Sequence, residues 1–252
     1  MLLRLLTVGT AALLFTFPGQ PAQASELITQ ADDSAIESTD DSAEEGTVSE
    51  DTSEAAPDPT GTETTPEEQS SLDEVDQLIL EGLTFYEERN LAEAQETLEQ
   101  ALDSARANEN LAQESFALTM LGLVTVNQGD YQAATDYGQQ ALTALQGVED
   151  PESTVVALNV LALATQSQGN LPDAVAYAQE ALTLADSIEF DSGSLNSLSI
   201  LATSYRTVGQ YSLALDAAQL AIPLAQSERN GQALLSALNV ASSSLLALDD
   251  YA

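Results

Sequence analysis

Cysteine, histidine, lysine and tryptophan are all missing from this 252-residue chain. Their absence removes Ser-His-Asp and Cys-His nucleophilic sites, Schiff-base and phosphate-loop lysines, and zinc or haem sites built on imidazole or thiolate. No metal site and no cofactor is therefore expected. Positive charge is almost as scarce: Arg4, Arg89, Arg106, Arg206 and Arg229 stand against 41 Asp and Glu, for a formal net charge of −36. So acidic a chain repels phosphate backbones and anionic lipid headgroups, which excludes nucleic acid and membrane surfaces as partners. Self-repulsion opposes the compact state and salt screens it, so unfolding is expected to become easier at low ionic strength.

What is present falls into three stretches. Residues 1–24 combine a basic start at Arg4, a thirteen-residue apolar run from Leu5 to Phe17, a Pro18-Gly19 break and Ala22-Gln23-Ala24 ahead of Ser25. That is the layout of a secretory signal peptide with a small-x-small cleavage site. The run is shorter than the roughly 20 apolar residues that span a bilayer, so no stable membrane insertion is expected after cleavage. An exported protein, periplasmic or extracellular, is predicted. Residues 25–71 hold fifteen acids, no base and almost no large apolar side chain. Such a segment buries too little surface to offset its ordering entropy and is expected to be a disordered acidic linker. Its paired acids, Asp32-Asp33, Asp40-Asp41 and Glu44-Glu45, do not follow the alternating ligand pattern of a calcium loop.

From residue 72 to 252 the sequence repeats itself. Arg89-Asn90-Leu91, Gly129-Asp130-Tyr131, Gly169-Asn170-Leu171, Gly209-Gln210-Tyr211 and Asp249-Asp250-Tyr251 are spaced 40 residues apart. Eleven residues earlier stand Leu78, Leu118, Leu158, Leu198 and Leu238; seven earlier stand the small residues Gly82, Gly122, Ala162, Ala202 and Ser242. Five residues after each turn come Ala94, Ala134, Ala174 and Ala214, and twelve after it Ala101, Ala141, Ala181 and Ala221. Within a unit the apolar residues recur at three and four, the spacing of two amphipathic helices joined by a tight turn. Gly129, Gly169 and Gly209 suit the positive φ that closes a helix. Pro172 fits a first turn, whereas Pro223 lies inside a helix and is expected to kink it.

These columns resemble the tetratricopeptide repeat, whose pattern is nearly whole in Leu121-Gly122, Gly129-Asp130-Tyr131, Ala134 and Ala141-Leu142. The 40-residue unit is similar to the longer-helix subclass of kinesin light chains and of bacterial repeat proteins, as is the run Leu158-Asn159-Val160-Leu161-Ala162-Leu163. Arg89 and Asp249 at the turn glycine, and Thr125 and Thr165 where an aromatic is favoured, depart from the pattern. The resemblance implies an all-α fold, a right-handed α-solenoid of helix-turn-helix units with turns near 89, 129, 169 and 209 and an incomplete fifth near 249. It further implies a concave groove lined by the first helix of each unit and holding a partner protein or peptide.

On those first helices Thr119, Asn159, Ser199 and Asn239 form one column. Such a ladder of small polar groups could pair with the main chain of an extended peptide; Asn127, Gln166, Thr203 and Arg206 would extend it. The alternative is that they satisfy backbone groups inside the stack. Of the basic residues a carboxylate-binding groove would need, Arg206 alone stands here, and 26 acids from residue 72 onward favour basic or neutral partners. The acidic cluster Glu149, Asp150 and Glu152 flanks the helix-starting Pro151 and reads as loop and cap rather than as a carboxylate pair for catalysis. The chain is thus expected not to be an enzyme. Leu238, Leu245, Leu246 and Leu248 look like packing residues, which suggests a chain cut from a longer reading frame. In that alternative it would be the substrate-recognition part of a larger enzyme, similar to proteins that continue into a CHAT peptidase-like domain.

Overall fold

The computed structural model describes residues 66–250. The predicted signal at 1–24, the linker as far as residue 65, and Tyr251 lie outside the described residues. Among the described residues there are nine α-helices and no strands: α1 (Pro66–Glu87), α2 (Leu91–Ala107), α3 (Leu111–Gln128), α4 (Tyr131–Leu145), α5 (Pro151–Ser167), α6 (Leu171–Ser187), α7 (Asp191–Thr207), α8 (Tyr211–Ser227) and α9 (Gly231–Asp250). The first six residues of α1 fall in the stretch read as linker, and Pro66 suits the first position of a helix. Each helix packs on its chain neighbours, and the first helices of successive units, α1, α3, α5, α7 and α9, also touch in sequence. This is a tetratricopeptide-like α-solenoid, a stack in which each unit leans on the next.

The 40-residue period follows from helices of about 17 residues closed by near-identical turns. Arg89, Gly129, Gly169 and Gly209 all take positive φ, between 65° and 85°. At each, the next amide reaches back six residues, as in Asp130 to the carbonyl of Thr125 at 2.9 Å and Asn170 to that of Thr165 at 2.9 Å. This double-bonded closure satisfies carbonyls left open at a helix end. The turns between units repeat it with Glu109, Glu189 and Arg229 in the left-handed region. Position 149 breaks the series: α4 stops early at Leu145, and Asp150 caps α5 by accepting from the Ser153 amide at 3.0 Å and its hydroxyl at 2.7 Å. Cap duty for Asp150 is thus observed directly.

Two expectations change. The pattern predicts a turn at Asp249, yet α9 stays helical through Asp249 to Asp250. Asp lacks the conformational freedom of glycine; Arg89 is held left-handed with α2 packed behind it, and no second helix is described behind Asp249. At Pro223, α8 continues without interruption from Tyr211 to Ser227.

Small residues set the approach of the helices. A Cβ on Gly82 would stand 2.7 Å from Leu98 Cγ, and one on Gly122 would stand 2.8 Å from Val160 Cγ1. The second helices bury alanines, for example Ala174, Ala178, Ala181 and Ala185 of α6. The first helices α3 and α5 are apolar on every side and are buried on nearly every side. Thr125 and Thr165, in the column where an aromatic is favoured, are buried and donate to the carbonyls of Leu121 at 2.8 Å and Leu161 at 2.7 Å. The packed side chains form a larger cluster from Val75 to Phe190, rich in Leu, Val, Phe and Met, and an alanine-rich one centred on α7, α8 and α9.

Candidate functional site

The polar residues singled out on the first helices separate into two groups. Thr119, Asn159 and Ser199 are 5%, 0% and 6% exposed, so this part of the ladder lies within the stack and does not present its polar atoms to a partner. Thr119 donates to the Ser115 carbonyl at 2.8 Å and Ser199 to that of Leu195 at 2.9 Å, each one turn back in its own helix. Asn159 is bound across the repeat boundary: its amide donates to the Gly193 carbonyl at 3.2 Å and its oxygen accepts from the Ser197 hydroxyl at 2.8 Å. Asn127 clasps in the same way, donating to the Tyr86 hydroxyl at 2.9 Å. Gln166 reaches from α5 to α7, donating to the Ile200 carbonyl at 3.1 Å, Thr203 Oγ1 at 2.8 Å and Ser204 Oγ at 2.7 Å. Asn127, Asn159 and Gln166 therefore hold one unit to another. The physical reason is their angular position, since they face the neighbouring unit's first helix, where a buried amide must find a partner.

Thr203, Arg206 and Asn239 are brought together. They line a groove of about 610 Å³ between α7 and α9, with Gln232, Leu235, Ser236, Val240 and Ser243. Its polar side is a stripe on α9, Gln232, Ser236, Asn239 and Ser243, spaced 4-3-4 along one helical face. Leu235 and Val240 supply an apolar side. None of the eight lining residues is acidic, and Arg206 is exposed at the groove. The site is therefore locally cationic in a strongly acidic chain. Donors, acceptors and one guanidinium can bind and orient a polar chain; none of them is a nucleophile activated by a neighbouring base.

Gln232, Ser236 and Ser243 were missed by reasoning from columns, because Ser and Gln at those places have no matching polar residue in units two and three. The 4-3-4 stripe within an otherwise apolar helix was the available signal. Among the described residues no group of three acids comes close enough to hold a metal ion.

A tetratricopeptide repeat family model matches residues 153–251, the stretch that carries α5 to α9. No curated protein matches the chain in sequence. Among solved structures it is similar to aspartyl phosphate phosphatase F from Bacillus subtilis, with a TM-score of 0.64 and 13% identity over 72% of this chain and 48% of that one. It is also similar to a Rap protein complexed with competence and sporulation factor, at TM-score 0.61 and 16% identity over 74% of this chain and 54% of that one. A third similar structure is BtubC (BKLC) from P. vanneervenii, at TM-score 0.59 and 15% identity over 73% of this chain and 84% of that one. The chain spans about half the length of the first two. At such identities the likeness shows the fold alone.

Proposed function

We propose that this protein is an interaction scaffold that holds an extended segment of a protein partner in the groove between α7 and α9. The observation that carries this reading is the stripe Gln232, Ser236, Asn239 and Ser243 facing Thr203 and Arg206. Side chains of this kind pair with main-chain amides and carbonyls of an extended peptide, while Leu235 and Val240 receive an apolar side chain. The repeat match over residues 153–251 and the likeness to a Rap protein captured with a bound factor support partner binding by this fold.

The partner's charge follows from two fields. Residues 72–190 hold 21 acids and two arginines, which steers basic or neutral partners toward the molecule and makes the encounter salt-sensitive. Arg206 disfavours a cation in the groove itself, so the bound segment is neutral there, with basic flanks. Bond breaking has no part in this mechanism. The 40-residue period and the Leu158–Leu163 run support the kinesin-light-chain-like subclass, and the signal-like residues 1–24 support export to the periplasm or beyond. An N-terminus at Ser25 in the native protein fits that placement, and an intact Met1 refutes it.

The test is a random peptide library panned on the purified protein, with the selected peptides titrated by fluorescence anisotropy. Arg206→Ala and Ser236→Leu are each expected to weaken binding by about tenfold or more with helix content unchanged. Peptides that bind both variants as tightly as the parent overturn the groove reading.

A further inference from the structure

The outer face of α9 carries leucines that nothing described covers: Leu235, Leu238, Leu245 and Leu246 are 50%, 48%, 49% and 66% exposed. In units one to four the column of Leu238, Ser242 and Leu245 is where a second helix packs, as at Leu118, Gly122 and Thr125. Scattered surface leucines are ordinary, but a continuous row on one helix marks a contact surface. Leu248 and Leu213 extend the row at the start of α8.

Two properties of the row identify its occupant. The first is spacing: Leu235, Leu238, Ser242 and Leu245 follow a 3-4-3 interval, the seam of a two-helix coiled coil with a small residue inside it. The seam is self-complementary, because two such helices running antiparallel put Leu235 of one copy against Leu245 of the other, and Leu238 against Ser242. The second is charge. From Gly231 to Leu248 α9 has no charged residue, and residues 191–248 hold only three acids and two arginines, whereas residues 72–190 hold 21 acids and two arginines. Elsewhere two copies of this chain repel each other; here they do not.

We propose that α9 is a homodimer interface, with two copies paired antiparallel along Leu235, Leu238, Ser242 and Leu245. The contact is isologous, one patch meeting itself across a two-fold axis. A bilayer is the competing occupant, since α9 is long and apolar enough to cross one by length and composition. Its opposite side, however, is committed to the array through buried Ala233, Ala237, Val240, Ala241 and Ser244. This inference is independent of the peptide groove, which uses the neighbouring face of the same helix and shares only Leu235.

Sedimentation equilibrium of the full chain across the micromolar range, at low and at high salt, is the experiment. A dimer is expected that tightens with salt, because salt screens the repulsion between the acidic regions. The double variant Leu238→Ser with Leu245→Ser is expected to raise the dimer dissociation constant at least about tenfold with an unchanged circular dichroism spectrum, since both side chains are half exposed. The chain has no native cysteine, so Ser242→Cys supplies a single thiol that a short bis-maleimide joins across the axis, while Gln226→Cys on α8 stays uncoupled. A monomer at every concentration and salt overturns the proposal and assigns the face to a further helical segment. A dimer indifferent to the leucine substitutions, equal coupling at Gln226→Cys, or capture by neutral lipid vesicles without dimerisation overturns it too.

Discussion

Residues 72–190 and residues 191–250 are built from the same repeat and differ in almost everything else. The first stretch is strongly acidic and packs Leu, Val, Phe, Met and Tyr into one core. The second is close to neutral until Asp249, packs mainly alanine, and carries both the polar groove and the exposed leucine row. Alanine buries little surface per residue, so the second stretch gains less from packing. Rigidity and solubility reside in the first stretch and recognition in the second. Because stability in a solenoid is a sum over units and their interfaces, the two ends can differ without unfolding together. Hydrogen exchange, which reads each region separately, is the fitting measurement.

The largest test of that contrast is Leu121→Ala. Leu121 is fully buried in the first core, and its truncation is expected to cost about 2–5 kcal/mol, with faster exchange in α3 and α4 and little change in α8 and α9. Ala218→Gly, at a fully buried site in the second core, should cost only about 1 kcal/mol. Equal losses would erase the difference between the cores. The next test uses one column twice. Asn159→Ala leaves the Ser197 hydroxyl and the Gly193 carbonyl without their buried partner and is expected to cost about 1–3 kcal/mol. Asn239→Ala, at an exposed site, is expected to leave thermal unfolding unchanged and to weaken peptide binding.

That column also shows where sequence reading stops. Helices, period, small-residue contacts and the four turns at 89, 129, 169 and 209 were legible, because glycine, apolar spacing and close packing each leave a compositional mark. The turns at Glu109, Glu189 and Arg229 were not, since those residues carry no preference for positive φ and are held there by the helices on either side. In the candidate site, Thr203, Arg206 and Asn239 were legible, while Thr119, Asn159 and Ser199 were misjudged. A polar residue at helical spacing looks the same in sequence whether it faces a groove or an adjoining helix. The deciding fact is which neighbour stands opposite, and for Asn159 that is Ser197, 38 residues away.

A smaller effect separates the turns themselves. Gly169 has φ of 82° with no atom near a prospective Cβ, so Gly169→Ala meets no clash and is expected to cost about 1–2 kcal/mol from backbone strain alone. Arg89 already bears that strain at φ of 65°, and Arg89→Gly is expected to raise the midpoint of unfolding.

The smallest effect compares two versions of one inter-unit staple. Arg106 Nε meets Glu114 Oε1 at 2.8 Å, and its terminal nitrogen donates to Gln140 at 3.0 Å. Eighty residues on, in the same columns, Asp186 accepts from the Ser194 hydroxyl at 2.7 Å. The first staple is an ion pair whose arginine is 44% exposed, so solvent screens it, and Arg106→Gln is expected to cost less than about 1 kcal/mol, vanishing at high salt. The second is a hydrogen bond from a buried hydroxyl, so Ser194→Ala should cost about 1 kcal/mol at any ionic strength. Denaturant titrations of both variants at two salt concentrations separate them. If Arg106→Gln were as costly at high salt as at low, the acidic stretch would be held at that joint by packing of the arginine stem rather than by charge, and the electrostatic half of the contrast between the two regions would fail at that point.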